Sequence, residues 1–147
     1  MKPLHLMRRF VGSVTAAPLT QGEWREVREV LLASELRLFE AFGVPDQRHA
    51  LHVLRRFDQL MPTASLAERR AALLHDIGKT AINLGTVRRV MATLVGPRTK
   101  TFRRYADHEQ LGIVLLEKAG SDAVTLALLR GDGEPNAVQA LREADEI

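Results

Sequence analysis

The sequence predicts an all-α protein that folds as a single compact bundle of about six to seven helices. No stretch alternates apolar and polar residues with the two-residue period of a half-buried strand. Apolar residues instead recur every three to four positions, in segments separated by Gly, Pro or capping residues. The length of 147 residues suits one domain, and the apolar fraction of 46% is ordinary for a folded chain.

The first two helices are predicted from a capping pair and from helix breakers. Residues 1–19 are expected to form an N-terminal segment, and residues 20–147 the helical domain. Thr20 and Glu23 have the spacing of a capping box, so they predict the start of the first helix. That helix should run to the break at Gly43. Asp46 then caps a second helix that continues to about residue 61.

The third helix opens at a second capping box. Ser65 and Glu68 predict its start, and apolar residues continue over 66–77. Gly78 stands where a C-terminal cap is expected.

The remaining helices are separated by short glycine-containing turns. A fourth helix is predicted over about 86–95, a fifth over 108–119 and a sixth over 122–129. The Gly- and Pro-containing stretch 131–135 predicts a turn, after which the last helix begins near Asn136.

Composition limits the possible chemistry and the possible partners. The chain has no cysteine, so any metal ion must be held by His, Asp and Glu. We interpret its arginine pairs as solvated helix faces, with a field that attracts phosphorylated substrates as the alternative. A net charge of +3, one Trp and one Tyr argue against nucleic acid as a partner. Neither a secretory signal nor a membrane span is predicted, so we expect a cytoplasmic protein without a membrane partner.

Two histidines of the second helix are predicted to face different environments. His49 recurs at helical spacing with an apolar stripe of Val53, Phe57 and Leu60. His52 groups with charged neighbours and should face water. A lone inward histidine is most simply a hydrogen-bonded core residue, but of the two His49 is the better ligand candidate.

The third helix ends in adjacent polar residues that follow a buried run. The apolar residues 71–74 lead directly to His75 and Asp76. Burying an unpaired carboxylate is costly, and so is leaving a buried imidazole without a partner. A shared cation would satisfy both groups, and the alternative is a His-Asp pair in which each satisfies the other.

Two later helices each carry one polar residue on an apolar face. His108 lies on the apolar face of the fifth helix, and Asp145 lies on that of the last helix. Taken alone, Asp145 would be explained by local hydrogen bonding near a helix end. Together with the earlier residues, these positions predict His and carboxylate side chains converging from separate helices, as in helical metal centres.

These residues carry a resemblance to a known family. The run Leu-Leu-His-Asp-Ile-Gly-Lys over 73–79 resembles the motif that names the HD superfamily of metal-dependent phosphohydrolases. His49 is similar to the early histidine of that family, and Asp145 to its distal aspartate. The segment from His108 to Gly112 resembles a further His-x-x-x-Gly element. The resemblance covers about residues 46–147, and the N-terminal forty residues are also similar to small stand-alone bacterial members of the family.

The resemblance implies an all-helical fold and hydrolysis of a phosphate ester or anhydride by a metal-activated water. The substrate would be a small phosphorylated molecule, for example a nucleotide. One divalent ion (Mn, Fe, Co, Ni or Zn) would be bound by a ligand set of His49, His75, Asp76 and Asp145. Asp76 also belongs to the implied catalytic set, with Lys79 near the substrate phosphate and His108 able to protonate the leaving oxygen.

The sequence also departs from the family pattern. No histidine follows His108, although members with two metals usually have further histidines there. Lys79 stands where the branch acting on nucleoside monophosphates typically has an acid. A second metal ion is therefore not expected, and Asp132 is the candidate for a substitute ligand. Two alternatives stay open: a metal-binding sensor or scaffold without turnover, and a metal-free helical interaction module.

Overall fold

The computed structural model describes residues 16–78 and 108–146, and for residues 108 and 109 it describes the backbone alone. Those ranges contain seven helices and no strand. In chain order they are α1 (Gln21–Val30), α2 (Ala33–Glu40), α3 (Val44–Leu60), α4 (Leu66–Leu74), α5 (His108–Lys118), α6 (Ala123–Arg130) and α7 (Pro135–Asp145). The all-α prediction is confirmed. The predicted segment 1–19 lies largely outside the described residues, and the predicted helix 86–95 lies wholly outside them.

The first predicted helix is two helices. The capping box at Thr20 and Glu23 forms as predicted, with reciprocal hydrogen bonds of 3.0 and 3.2 Å. The helix then ends at Val30 because the backbone turns to an extended conformation at Leu31, where ψ is 148°. A new helix begins where the Glu35 carboxylate accepts the Leu32 N–H at 2.9 Å. The prediction of one helix to Gly43 was therefore wrong, because a buried carboxylate opens a second one.

The next two helices form, but their ends are shifted. Helix α3 starts after Gly43 rather than at Asp46, because Pro45 fits the first turn of a helix. The capping box of Ser65 and Glu68 opens α4 as predicted. That helix ends at Leu74, before the predicted limit at residue 77.

Helices α5 and α6 end at the glycines expected. After α5 and α6 the backbone turns left-handed at Gly120 and Gly131, with φ of 80° and 81°. Glycine adopts this conformation without a Cβ clash, which is why it ends helices. Asp122 caps α6 and Glu134 caps α7, so these boundaries lie within a residue or two of those predicted.

The core lies around α3 and α4. Helix α3 packs against α4 and α7, and α4 also packs against α6. Val53 and Phe57 of the predicted stripe are fully buried, and each such side chain contributes about 1.5–3 kcal/mol of burial free energy. Leu60, the last residue of α3, is 40% exposed, so its predicted inward position was wrong. In the described part of the chain, no helix is long and apolar enough to cross a membrane.

Candidate metal centre

Four side chains from three parts of the bundle converge on one point. His49 comes from α3, His75 and Asp76 from the turn after α4, and Asp145 from the last residue of α7. One possible ligand atom from each lies within 4.8 Å of the other three. The packing of α3 against both α4 and α7 brings these distant positions together.

The turn after α4 explains how two adjacent residues face the same point. His75 keeps helical dihedral angles, with φ −61° and ψ −29°. The Ile77 N–H then donates to the Leu74 carbonyl at 3.1 Å. This bond spans three residues, as in a 3₁₀-helix, where an α-helical bond spans four. The chain thus leaves regular α-helical geometry at the His-Asp pair, and both side chains point toward Asp145.

The separations within the cluster suit one small cation. His75 Nε2 lies 3.0 Å from Asp145 Oδ1 and 3.3 Å from Asp76 Oδ2. His49 Nε2 lies 3.2 Å from Asp145 Oδ1 and 3.7 Å from Asp76 Oδ2. Neighbouring ligands about 2.1 Å from a shared transition-metal ion are separated by about 3.0 to 3.4 Å. The donor set of two imidazoles and two carboxylates therefore fits such an ion with small adjustments.

The hydrogen bond made by His75 Nδ1 determines whether Nε2, the ring nitrogen that faces the cluster, donates or accepts. Nδ1 lies 2.8 Å from the Ala72 carbonyl oxygen, which can only accept, so Nδ1 carries the proton. In the neutral ring, Nε2 then presents a lone pair to the carboxylate oxygens of Asp76 and Asp145. Lone pairs facing one another need a positive charge between them, supplied either by a proton on His75 or by a metal ion. A backbone carbonyl that orients a histidine in this way is common around bound metals.

Without a metal, the cluster holds a proton. Burial lowers the pKa of His75, but the hydrogen bonds to Asp145 and Asp76 outweigh it and raise the pKa to about 10. Burial raises the pKa of Asp145, and its hydrogen bonds to His49 and His75 outweigh this and hold the pKa far below its ordinary value. A metal ion must therefore displace this proton, so metal binding is coupled to proton release.

Gly112 lets helix α5 lie directly against the His-Asp turn. A Cβ added at this glycine would lie 2.9 Å from Ile77 Cγ2 and 3.1 Å from the Gly78 backbone nitrogen. Both are closer than ordinary contacts, so a larger residue would push the turn away. Gly112 was predicted as part of the His-x-x-x-Gly element, and close packing is its structural role.

A cavity of about 290 Å³ opens beside the cluster. Three of the four cluster residues line it: His75, Asp76 and Asp145. The rest of its wall comes from the end of α4 and the turn after it, from α5, α6 and α7, and from the glycine turn after α6. Two arginines, Arg130 and Arg142, stand at this wall. Sequence reasoning missed Arg142, although its position one turn before Asp145 on the same helix was a usable signal.

The other predicted site residues fall in three groups. His52 is exposed and points away from the cluster, as predicted. Asp132 is exposed and is not among the clustered residues, so the substitute ligand is not supported. Lys79 lies outside the described residues, and so does the side chain of His108.

Comparison with models of known protein families, with curated proteins and with solved structures finds no match to this chain. The candidate site is therefore supported by its donor set and by the distances between its ligand atoms.

Proposed function

We propose that the protein is a metal-dependent phosphohydrolase of the HD type, cleaving a phosphate ester or anhydride of a small substrate. The observation that carries the proposal is the convergence of His49, His75, Asp76 and Asp145 with their ligand atoms within 4.8 Å. The orientation of His75 by the Ala72 carbonyl supports it, because this hydrogen bond turns a lone pair toward both carboxylates.

A divalent ion held there would lower the pKa of a bound water and polarise a phosphoryl oxygen. Four protein ligands suit a six-coordinate ion such as Mn, Fe, Co or Ni better than a closed tetrahedral Zn site. Asp76 and Asp145 would offset the charge of the ion. By the family resemblance, Lys79 would bind the substrate phosphate and His108 would give a proton to the leaving oxygen.

The two histidines of α3 provide a matched test. His49 belongs to the cluster, whereas His52 lies three residues away on the exposed side of the same helix. We expect wild type and His52→Ala to bind about one transition metal per chain, and His49→Ala and Asp76→Ala to lose it. Elemental mass spectrometry on protein purified without chelator or metal-affinity tag measures this, and circular dichroism checks that each variant is folded.

Turnover is tested on the same proteins with p-nitrophenyl phosphate and bis(p-nitrophenyl) phosphate, which distinguish monoesterase from diesterase activity. We expect metal-dependent hydrolysis that His52→Ala retains and Asp76→Ala loses. If the protein binds none of Mn, Fe, Co, Ni and Zn when these are supplied, the proposal is wrong.

A metal-binding sensor or scaffold without turnover is the second candidate. It is favoured because the described residues contain one His/carboxylate cluster and no second group of three or more. It predicts stoichiometric metal with no hydrolysis of either ester.

The metal-free interaction module is favoured instead by the proton that the cluster can hold, and it predicts that a chelator leaves the thermal midpoint unchanged.

A further inference from the structure

We infer that the cavity beside the metal centre binds a small organic phosphate with an aliphatic carbon skeleton, and that Arg142 binds its anionic group. This inference rests on the proposed function and names its substrate class. It comes from the charge and the composition of the cavity wall.

Arg142 is the positive group that the wall leaves unneutralised. It is exposed at the cavity and makes no hydrogen bond or ion pair in the described part of the chain. Arg130, the other arginine there, is paired with Glu117. A guanidinium group offers several donors that match the oxygens of a phosphate, so an unpaired arginine at a cavity favours an anionic ligand.

The position of Arg142 places its charge next to the metal ligands. It precedes Asp145 by three residues on α7, and side chains three apart on a helix are neighbours, with Cβ atoms about 5–6 Å apart. The two carboxylates of the cluster would offset a divalent ion, which leaves Arg142 as the unpaired charge among the described residues that line the cavity. A phosphate bound at the ion would then find its second partner in Arg142.

The remaining wall is aliphatic. It includes Ile113, Leu128, Leu129 and Val138, which lie on three different helices. No aromatic residue is among the described residues that line the cavity, so that wall offers no surface for stacking a nucleobase. Its volume of about 290 Å³ is at the small end of the range for ligand pockets. Such a wall suits a short alkyl group better than a nucleoside.

Two phosphonates test the inference without turnover, because their carbon–phosphorus bond resists phosphoester hydrolysis. Isothermal titration calorimetry would compare methylphosphonate with butylphosphonate on the metal-loaded protein. We expect the butyl compound to bind about tenfold or more tightly, since its extra methylene groups leave water. Val138→Thr keeps the side-chain shape but adds a hydroxyl, and we expect it to reduce this ratio.

Three variants test the arginine. We expect Arg142→Gln to weaken both phosphonates about tenfold or more and Arg142→Lys to weaken them less. Arg25→Gln, at an exposed arginine of α1 that does not line the cavity, should change neither affinity. Metal content measured on each variant should equal that of the wild type.

The outcomes separate this inference from the proposed function. If metal binds and the esters are hydrolysed but Arg142→Gln binds both phosphonates like wild type, the inference fails alone. Equal binding of methyl- and butylphosphonate would overturn the aliphatic substrate class. If no metal binds, the proposed function fails, and the same titrations on the metal-free protein still decide for or against the Arg142 site.

Discussion

Among the described residues, carboxylates are buried in two places, at Glu35 and at Asp76, and the two differ in the groups that surround them. Glu35 on α2 is fully buried. It accepts the Leu32 N–H at 2.9 Å and the Ser121 hydroxyl at 2.7 Å, and the Arg70 guanidinium lies 3.9 Å away. Each oxygen of this carboxylate therefore has a donor from the protein itself.

The carboxylates at the end of α4 are surrounded by titratable groups instead. Asp76 and Asp145 face two imidazole nitrogens, and the proton of the His75 ring is committed to the Ala72 carbonyl. With that proton committed, His75 Nε2 bonds to the two carboxylates when it carries a further proton, or shares a metal ion with them. Burial of a charged group therefore does not by itself mark a functional site. A cluster in which carboxylates and imidazoles from separate helices converge to share a proton or a metal ion is the stronger indication.

We expect the greatest loss of stability when the buried Glu35 carboxylate is removed. Glu35→Ala leaves the Arg70 charge, the Leu32 N–H and the Ser121 hydroxyl without their partner, so we expect a loss of about 3 kcal/mol in the free energy of unfolding. Glu40→Ala, at an exposed position on the same helix, should cost less than about 0.5 kcal/mol. Urea unfolding followed by circular dichroism measures both. Equal losses in the two variants would mean that the Glu35 hydrogen bonds do not stabilise the fold.

We expect a metal ion to stabilise the folded protein through the cluster at the end of α4 and not through Glu35. An ion that binds only the folded protein raises the free energy of unfolding by about 2.7 kcal/mol at a hundred times its dissociation constant. We expect Asp145→Asn to lose this gain and Glu40→Ala to keep it. Urea unfolding with and without added Mn measures the gain. An undiminished gain in Asp145→Asn would place the binding site elsewhere.

Gly112→Ala tests whether the geometry of the cluster depends on close packing. The new Cβ would collide with Ile77 and Gly78, so we expect a loss of about 1–3 kcal/mol despite the better helix propensity of alanine. Metal affinity should fall as well, because the His-Asp turn moves. Gly22→Ala in α1 is the control, since its nearest contact would be Thr20 Oγ1 at 3.9 Å. Thermal unfolding should show Gly22→Ala to be neutral or stabilising, and a neutral Gly112→Ala would contradict the packing argument.

The smallest effect concerns Glu23, a carboxylate that has donors but lies near the surface. The Arg48 hydrogen bond, followed by that from the Thr20 N–H, lowers its pKa from 4.5 to about 2. A lowered pKa stabilises the fold above the unfolded value, and the gain disappears as the pH falls from 4.5 towards 2. We expect wild type to exceed Glu23→Gln by about 0.5–1 kcal/mol at pH 6 and by almost nothing at pH 2. Urea unfolding across this pH range measures the trend, with Glu29→Gln as the control. A stability difference between wild type and Glu23→Gln that grows as the pH falls would contradict the lowered pKa of Glu23.

The sequence predicted the helices best where local chemistry decides their ends. The boxes at Thr20 and Ser65 and the glycines Gly120 and Gly131 act within a few residues, so each could be read directly. The break after Val30 could not, because the carboxylate that opens α2 receives its other donor from Ser121, more than eighty residues away. The early end of α4 is similar, since α5 packs against that turn through Gly112.

For the candidate site, the sequence determined which residue types stand on inner helix faces: His49, His75, Asp76 and Asp145. Helical periodicity and the cost of burying charge were enough for that, as was the exposure of His52. The packing of the helices was needed to show that the four meet and that Arg142 borders the cavity. Those facts depend on how α3, α4 and α7 pack, and a pattern within one helix carries no information about the distance to another.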